Sequence, residues 1–279
     1  AVLLHSPTYI GFTKCITENG YKIVHSPLKK DEKGIWRMDY EDMDAKLKAN
    51  NIHVAVFCSP HNPTGRVWER WEIEEAMEVY KNNECVVIAD EIYSQLVYDG
   101  TEHVSIASLP GMKERTITLG GFSKAYSMTG WRLGYLCAPV GIIQACVRVH
   151  QYTVTCASSF VQEAAITALT DCADDVEAMR KEYQRRKDYV VKALNEINGI
   201  SCNNPHGAFY IFVNIKSLGM TSMEVAEYLL DNAKIALVPG SAFGSEGEGY
   251  LRISYACSYE ELQEACARIK KAVEELKNK

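Results

Sequence analysis

Gly121-Phe-Ser-Lys-Ala-Tyr-Ser-Met-Thr-Gly-Trp-Arg-Leu-Gly-Tyr135 places a single lysine, Lys124, on a short polar loop between two apolar runs. Thr116 to Leu119 reads as a strand leading into the loop, Leu133 to Ala138 as an apolar run leaving it, and Arg132 follows the lysine by eight positions. A lysine amine attacks a carbonyl only when unprotonated, and burial with nearby positive charge favours that form. The apolar setting beside Arg132 makes Lys124 a candidate nucleophile. The alternative is a solvated loop lysine.

Upstream, two further strand ends carry polar residues. Ile52 to Cys58 reads as a buried strand ending in Ser59-Pro-His-Asn-Pro-Thr-Gly65, and Cys85 to Ala89 as another ending in Asp90-Glu91. Between these runs lie helical patterns, one over Ile10–Glu18, one N-capped by Asp39 with Met43 and Leu47 on one face, and one holding Trp71, Ala76, Met77 and Tyr80. Ala1 to Leu4 and Tyr21 to His25 read as further strands. Such alternation predicts an α/β fold, a mostly parallel sheet covered on both faces in three αβα layers. Ligands of such sheets sit beyond the carboxyl ends of the strands, where Asn62, Asp90 and Lys124 all fall.

After Ala138 the pattern turns helical, over Val140–His150, Phe160–Leu169 and a long Ala173–Asn198. Strands at Phe209–Asn214, Ile235–Val238 and Tyr250–Tyr255 then alternate with helices at Met223–Asp231 and Glu260–Asn278. The reading is a large domain over residues 1–172, then a linking helix and a smaller C-terminal α+β domain over 173–279.

Composition excludes several classes. The 279 residues are 47% hydrophobic and 24% charged, with a net charge of −6 and no block of like charge. That argues against nucleic acid and anionic membrane as partners. No apolar run reaches the length of a membrane span, and residues 1–4 read as a strand rather than a signal peptide. The ten cysteines form no metal-binding or C-x-x-C spacing and read as reduced thiols of a cytoplasmic protein. Cys58, Cys85 and Cys137 lie in or beside apolar runs and are expected in the core.

Individual side chains suggest roles, each with a plainer alternative. Asp90, at the end of an apolar strand, is partly desolvated and suits a cation such as a pyridinium nitrogen. A helix cap or a structural ion pair would also explain it. Asn62 and Tyr93 could donate to one ring oxygen, or be a turn residue and a packed aromatic. Ser123 and Arg132 offer a hydroxyl and a fork suited to phosphate. Alternation puts Tyr250, Arg252 and Ser254 on one face of a strand, so Arg252 either binds a carboxylate in a cleft or is an exposed edge-strand arginine.

Together Ser-Pro-His-Asn-Pro-Thr-Gly at 59–65, Asp-Glu-Ile-Tyr at 90–93 and Ser-Lys-Ala-Tyr-Ser-Met-Thr-Gly-Trp-Arg-Leu-Gly at 123–134 resemble the fold-type I pyridoxal-phosphate enzymes of the class I/II aminotransferase family. Pro-His-Gly-Ala-Phe-Tyr at 205–210, Val-Pro-Gly-Ser-Ala-Phe-Gly at 238–244 and Leu-Arg-Ile-Ser at 251–254 extend the likeness. The resemblance implies pyridoxal 5′-phosphate as cofactor, a homodimer, and an amino acid and a 2-oxo acid as substrates. It makes Lys124 the Schiff-base lysine and proton shuttle. It sets Asp90 on the pyridine nitrogen, Asn62 and Tyr93 on the ring hydroxyl, Tyr9 against the ring, and Ser123 and Arg132 on the phosphate. Arg252, with Asn62, binds the substrate, and the Asn62–Pro63 bond is expected to be cis. No metal is implied.

The chain departs from the family pattern twice. It begins late, without the family's N-terminal segment, its small-residue phosphate loop and a tyrosine that reaches the partner's site. A truncated, inactive cofactor-binding fragment is therefore one alternative. Residues 1 to about 92, with Arg66-Val-Trp68, also look more like cystathionine β-lyase-type carbon–sulfur lyases, and the remainder like aspartate, aromatic and alanine aminotransferases. A β-lyase is thus a second alternative and a mosaic chain an expectation.

Overall fold

A computed structural model describes residues 1–98 and 100–277. Strand β1 (Val2–Ser6), helix α1 (Ile10–Glu18) and strand β2 (Ile23–Pro27) form the first crossover. A short antiparallel ribbon, β3 (Lys29–Lys30) with β4 (Trp36–Arg37), leads to α2 (Tyr40–Ala49). Asp39 caps that helix as its sequence position predicts, accepting from the Asp42 N–H. Then come β5 (Val54–Cys58), α3 (Arg70–Asn82), β6 (Val86–Asp90), β7 (Thr116–Gly121) and β8 (Gly134–Cys137).

The large sheet has the order β2-β1-β5-β6-β7-β8, parallel throughout except for β8. Its inner strands read as continuous apolar runs because both faces are covered. On one face Phe57, Val87 and Ala89 pack with Met43 and Leu47 of α2 and with Ile73, Ala76 and Tyr80 of α3. On the other, Leu4 and Val56 meet Phe12 and Ile16 of α1. Three layers result.

Helices α4 (Val140–Thr153), α5 (Ser159–Asp171) and the long α6 (Ala173–Asn195) follow. The second sheet, in the order β11-β12-β10-β9, comprises β9 (Ser201–Cys202), β10 (Tyr210–Asn214), β11 (Val238–Pro239) and β12 (Tyr250–Ser254). It packs with α6, α7 (Ser222–Ala233) and α8 (Tyr259–Lys277) through Val190, Ile211, Val225, Leu229, Ile253 and Ile269. Each such fully buried aliphatic side chain contributes roughly 1.5–3 kcal/mol of transfer free energy.

Several sequence expectations change. The strand expected at Ile235–Val238 pairs only at Val238–Pro239. Helix α7 runs on to Ala233, Lys234 caps it in the left-handed region at φ 57°, and the Ile235 N–H still bonds the Leu229 carbonyl. The chain therefore reaches the sheet late. For the same reason the strand expected from Tyr21 starts at Ile23, because the Tyr21 N–H closes on Ile16 of α1. Cys58 and Cys85 are buried as expected, but Cys137 is exposed, since β8 is the end strand of its sheet. The closing helix is described to Lys277, and its expected end at Asn278 lies outside the described residues. Trp71 is 48% exposed, its indole N–H donating to Glu69. Among the described residues no helix is long and apolar enough to cross a membrane, and no cluster of metal ligands occurs.

Candidate active site

The site is assembled from three neighbouring strand ends. β5 delivers the loop 59–66, whose Ser59–Pro60 and Asn62–Pro63 bonds are both cis. The loop closes on itself through His61 N–H to the Arg66 carbonyl (2.7 Å) and Gly65 N–H to the His61 carbonyl (2.8 Å). The His61 Nδ1 and Thr64 Oγ1 lie 2.7 Å apart. Gly65, at φ 69°, sits so close to the second sheet that a Cβ there would lie 2.3 Å from Pro205 and 3.0 Å from the Tyr210 carbonyl oxygen. The Gly65 carbonyl accepts from the N–H groups of His206 and Gly207. Arg66 carries the loop further, donating to the Trp36 carbonyl and pairing with the fully buried Glu72 carboxylate, which Arg37 also meets at 2.9 Å. Asn62 is thereby held in a rigid, buried setting.

β6 delivers Asp90, level with Cys58 in the sheet register. Its Oδ1 accepts from the Ile92 N–H at 3.1 Å. Burial raises the Asp90 pKa, with the neighbouring Glu91 adding to the rise, while the Ile92 hydrogen bond and Lys124 oppose it. Among the described residues no cation is ion-paired with this carboxylate. It is a desolvated acceptor facing a cavity.

β7 delivers Ser123 and Lys124. The half-buried Lys124 Nζ lies 5.3 Å from the centre of the Phe209 ring and 5.7 Å from that of Tyr93. Burial lowers its pKa, as the sequence predicts. The cation that lowers it further is Arg252, not the expected Arg132, while Asp90 opposes both. Arg132 instead adopts φ 56° and turns back to donate to the Thr129 carbonyl at 2.9 Å. Thr129 Oγ1 donates to the Ser123 carbonyl at 2.7 Å. Ser123, Thr129 and Arg132 thus form one hydrogen-bonded turn at the open end of the site.

The second sheet closes the other side. Arg252 lies on β12, an inner strand, so it is no edge-strand residue. Its Nη1 donates to Asn62 Oδ1 at 3.0 Å, and its buried Nε–H has no hydrogen-bond partner among the described residues. An unpaired buried guanidinium N–H costs free energy unless a ligand supplies an acceptor. Tyr93 is buried, with its hydroxyl on that of Tyr210 rather than in water. Tyr9 is 41% exposed at the mouth, edge-on to Phe12.

These side chains line one cavity of about 370 Å³: Tyr9, Asn62, Asp90 and Tyr93 with Ser123, Lys124 and Arg132. Arg252 reaches it through Asn62. Tyr210 and Thr129 also line it, and neither was singled out from the sequence. Tyr210 ends the noted Pro-His-Gly-Ala-Phe-Tyr run, so the motif carried the signal and only the side chain's direction was missing.

The whole of residues 1–269 matches the family model for aminotransferase class I and II. A putative aminotransferase, YugH, from Bacillus subtilis is 46% identical over 97% of this chain and 69% of its own length. An aspartate aminotransferase from Pyrococcus abyssi is 44% identical over 99% of this chain and 70% of its own. The crystal structure of an aromatic aminotransferase from Pyrococcus horikoshii superposes with a TM-score of 0.94 at 43% identity, covering 99% of this chain and 74% of that one. The likeness to aminotransferases spans nearly the whole chain, and the carbon–sulfur lyase alternative is not favoured. Cystalysin from Treponema denticola, at 23% identity, shares the fold. The residues present fit pyridoxal 5′-phosphate: a buried carboxylate with no cation paired to it among the described residues and a desolvated lysine share one cavity, and a guanidinium bonded to Asn62 stands behind it. The chain belongs to the class I and II aminotransferase family and is a pyridoxal-phosphate-dependent aminotransferase.

Proposed function

We propose that this aminotransferase divides its work among the cavity residues as follows, moving an amino group between an L-amino acid and a 2-oxo acid. Lys124 would hold the cofactor at its aldehyde carbon. Asp90 would hold the pyridine nitrogen, Asn62 and Tyr93 the ring oxygen, and Ser123 and Arg132 the phosphate, with Tyr9 against the ring. Arg252 takes the substrate α-carboxylate. The bound cofactor supplies an electron sink next to the substrate Cα.

The observation that carries this reading is the meeting of Asn62, Asp90 and Lys124 in one cavity. A desolvated Asp90 gains a partner from a protonated ring nitrogen and keeps it protonated. Asn62 already gives its Oδ1 to Arg252, so its amide N–H groups are left to donate to the ring oxygen. Arg252 offers its unpaired Nε–H and its remaining fork to a carboxylate. Lys124, with a pKa lowered by burial and by Arg252, is suited to take and return the proton at the substrate Cα.

We further propose a homodimer in the cytoplasm, with a cofactor-binding domain over 1–172 and a linking helix and small domain over 173–279. Helix α4 buries no residue, and Val140, Val149 and Tyr152 are 73%, 69% and 89% exposed. Large apolar side chains left exposed on this helix suit burial against a second copy. Ten free cysteines suit a reducing compartment.

The test is direct. Added pyridoxal phosphate is expected to give a visible absorbance band that borohydride fixes to Lys124, and the protein to exchange amino groups with a 2-oxo acid in ping-pong kinetics. A band fixed to another lysine would overturn the assignment. Sedimentation reads the dimer.

A further inference from the structure

Tyr210 opens β10 and is only 8% exposed. Its hydroxyl oxygen lies 2.9 Å from that of Tyr93, 117 residues away in the chain. The two rings meet edge-on with centres 5.8 Å apart. On its other side the Arg252 guanidinium carbon sits 4.2 Å from the centre of the Tyr210 ring. One side chain therefore touches both the phenol proposed for the cofactor ring oxygen and the guanidinium proposed for the substrate carboxylate.

Proton counting fixes the direction of the phenol pair. Each phenol has a single O–H to donate. When Tyr93 directs its proton to the ring oxygen, the Tyr93 oxygen can only accept from Tyr210. We infer that Tyr210 is a positioning residue that orients and polarises the Tyr93 O–H through this hydrogen bond, while its ring face carries the Arg252 guanidinium. The inference rests on the placement of Tyr93 and Arg252 proposed above. It assigns to the small domain a share in tuning the cofactor end of the site, because β10 belongs to the second sheet.

A hydrogen bond into a donor strengthens the bond that the donor makes in turn, and a cation over an aromatic face gains from the ring quadrupole. Tyr210→Phe removes the first effect and keeps the second. Tyr210→Leu removes both.

The experiment titrates the visible band of the holoenzyme with pH and measures KM and kcat for the amino acid. Tyr210→Phe is expected to move the band's midpoint upward by about 0.2–0.5 pH unit, because the anionic ring oxygen is less well held, with KM within about twofold of the parent. Tyr210→Leu is expected to move the midpoint similarly and to raise KM about 3- to 20-fold, with a smaller change in kcat. Tyr93→Phe should move the midpoint further, and Tyr210→Phe added to it should change nothing more. A midpoint that shifts in Tyr93→Phe but not in Tyr210→Phe overturns the inference and leaves Tyr93 on the ring oxygen. A Tyr210→Phe shift that persists in the Tyr93→Phe background overturns it too. No shift in Tyr93→Phe removes the placement of Tyr93 and the inference together. The Phe variant keeps the ring and its packing, so the outcome does not depend on the Leu variant folding.

Discussion

The two ends of the cavity are built differently. At the end proposed for the cofactor ring, Asn62, Asp90, Tyr93 and Arg252 come from three separate stretches, the loop after β5, the end of β6 with its turn, and β12, and the loop bearing Asn62 is tied to the ribbon, to α3 and to the second sheet. At the phosphate end, Ser123, Thr129 and Arg132 come from one turn and hold chiefly one another, with Arg132 exposed. The ring end is shaped by long-range packing before any ligand arrives. The end proposed for the phosphate is shaped locally, so its order would depend more on a bound anion. Preorganised groups favour chemistry where charge develops, whereas a local turn can adapt to a ligand that stays put.

Four substitutions test that contrast. The largest effect belongs to Lys124, where the two ends meet. Lys124→Ala is expected to lower kcat for amino transfer by about 10³–10⁴-fold, with its thermal melting point nearly unchanged. Stopped-flow half-reactions would show it, and a loss below tenfold would remove the lysine from proton transfer.

Next is the buried support of the loop bearing Asn62. Glu72→Ala takes from Arg66 and Arg37 their buried carboxylate and leaves Glu69 as the acid both still meet, which should cost about 3 kcal/mol of folding stability. Denaturant unfolding measures this, and a cost below about 1 kcal/mol would mean that the loop does not lean on this pair.

At the phosphate end, Arg132→Lys keeps the charge and loses the fork. Cofactor affinity should fall roughly tenfold in equilibrium dialysis with the melting point unmoved, as expected of an exposed, locally held residue. A large drop in melting point would make the two ends alike.

The smallest effect concerns pH. The Asp90 carboxyl has a folded pKa above its ordinary value. Its contribution to the stability of the cofactor-free protein is thus full at low pH and is lost as pH rises through the raised pKa. Asp90→Asn escapes that loss. It should melt higher than the parent at pH 8 and equally with it near pH 3, below the ordinary carboxyl pKa. An Asp90→Asn protein less stable than the parent at pH 8 would show that the carboxylate is paired within the chain.

How far each part could be read from sequence follows from the same contrast. Strand ends were legible, because a buried parallel strand must be apolar and must stop where polar residues begin, as at Cys58, Asp90 and Gly121. Asn62, Asp90 and Lys124 were legible for that reason, and the motifs around them carried the resemblance. Contacts between the sheets were not. That Arg252 rather than Arg132 is the cation acting on Lys124 depends on how β12 faces the lysine loop, which no local pattern encodes. Tyr210 was hidden likewise, as one aromatic among several in Phe-Tyr-Ile-Phe. The late start of the strand at Val238 turned on how far α7 continued, and helix ends are set by capping contacts more than by periodicity.

Gly65 acts, finally, as a spacer of zero thickness between the two halves of the molecule. Its missing side chain lets the backbones of the cofactor loop and of residues 205–210 lie against each other. Any side chain there would wedge them apart and lengthen the reach from Arg252 to Asn62. On the proposed assignment, the distance between the guanidinium that would grip the substrate and the ring end of the cavity is thus gauged by one hydrogen atom.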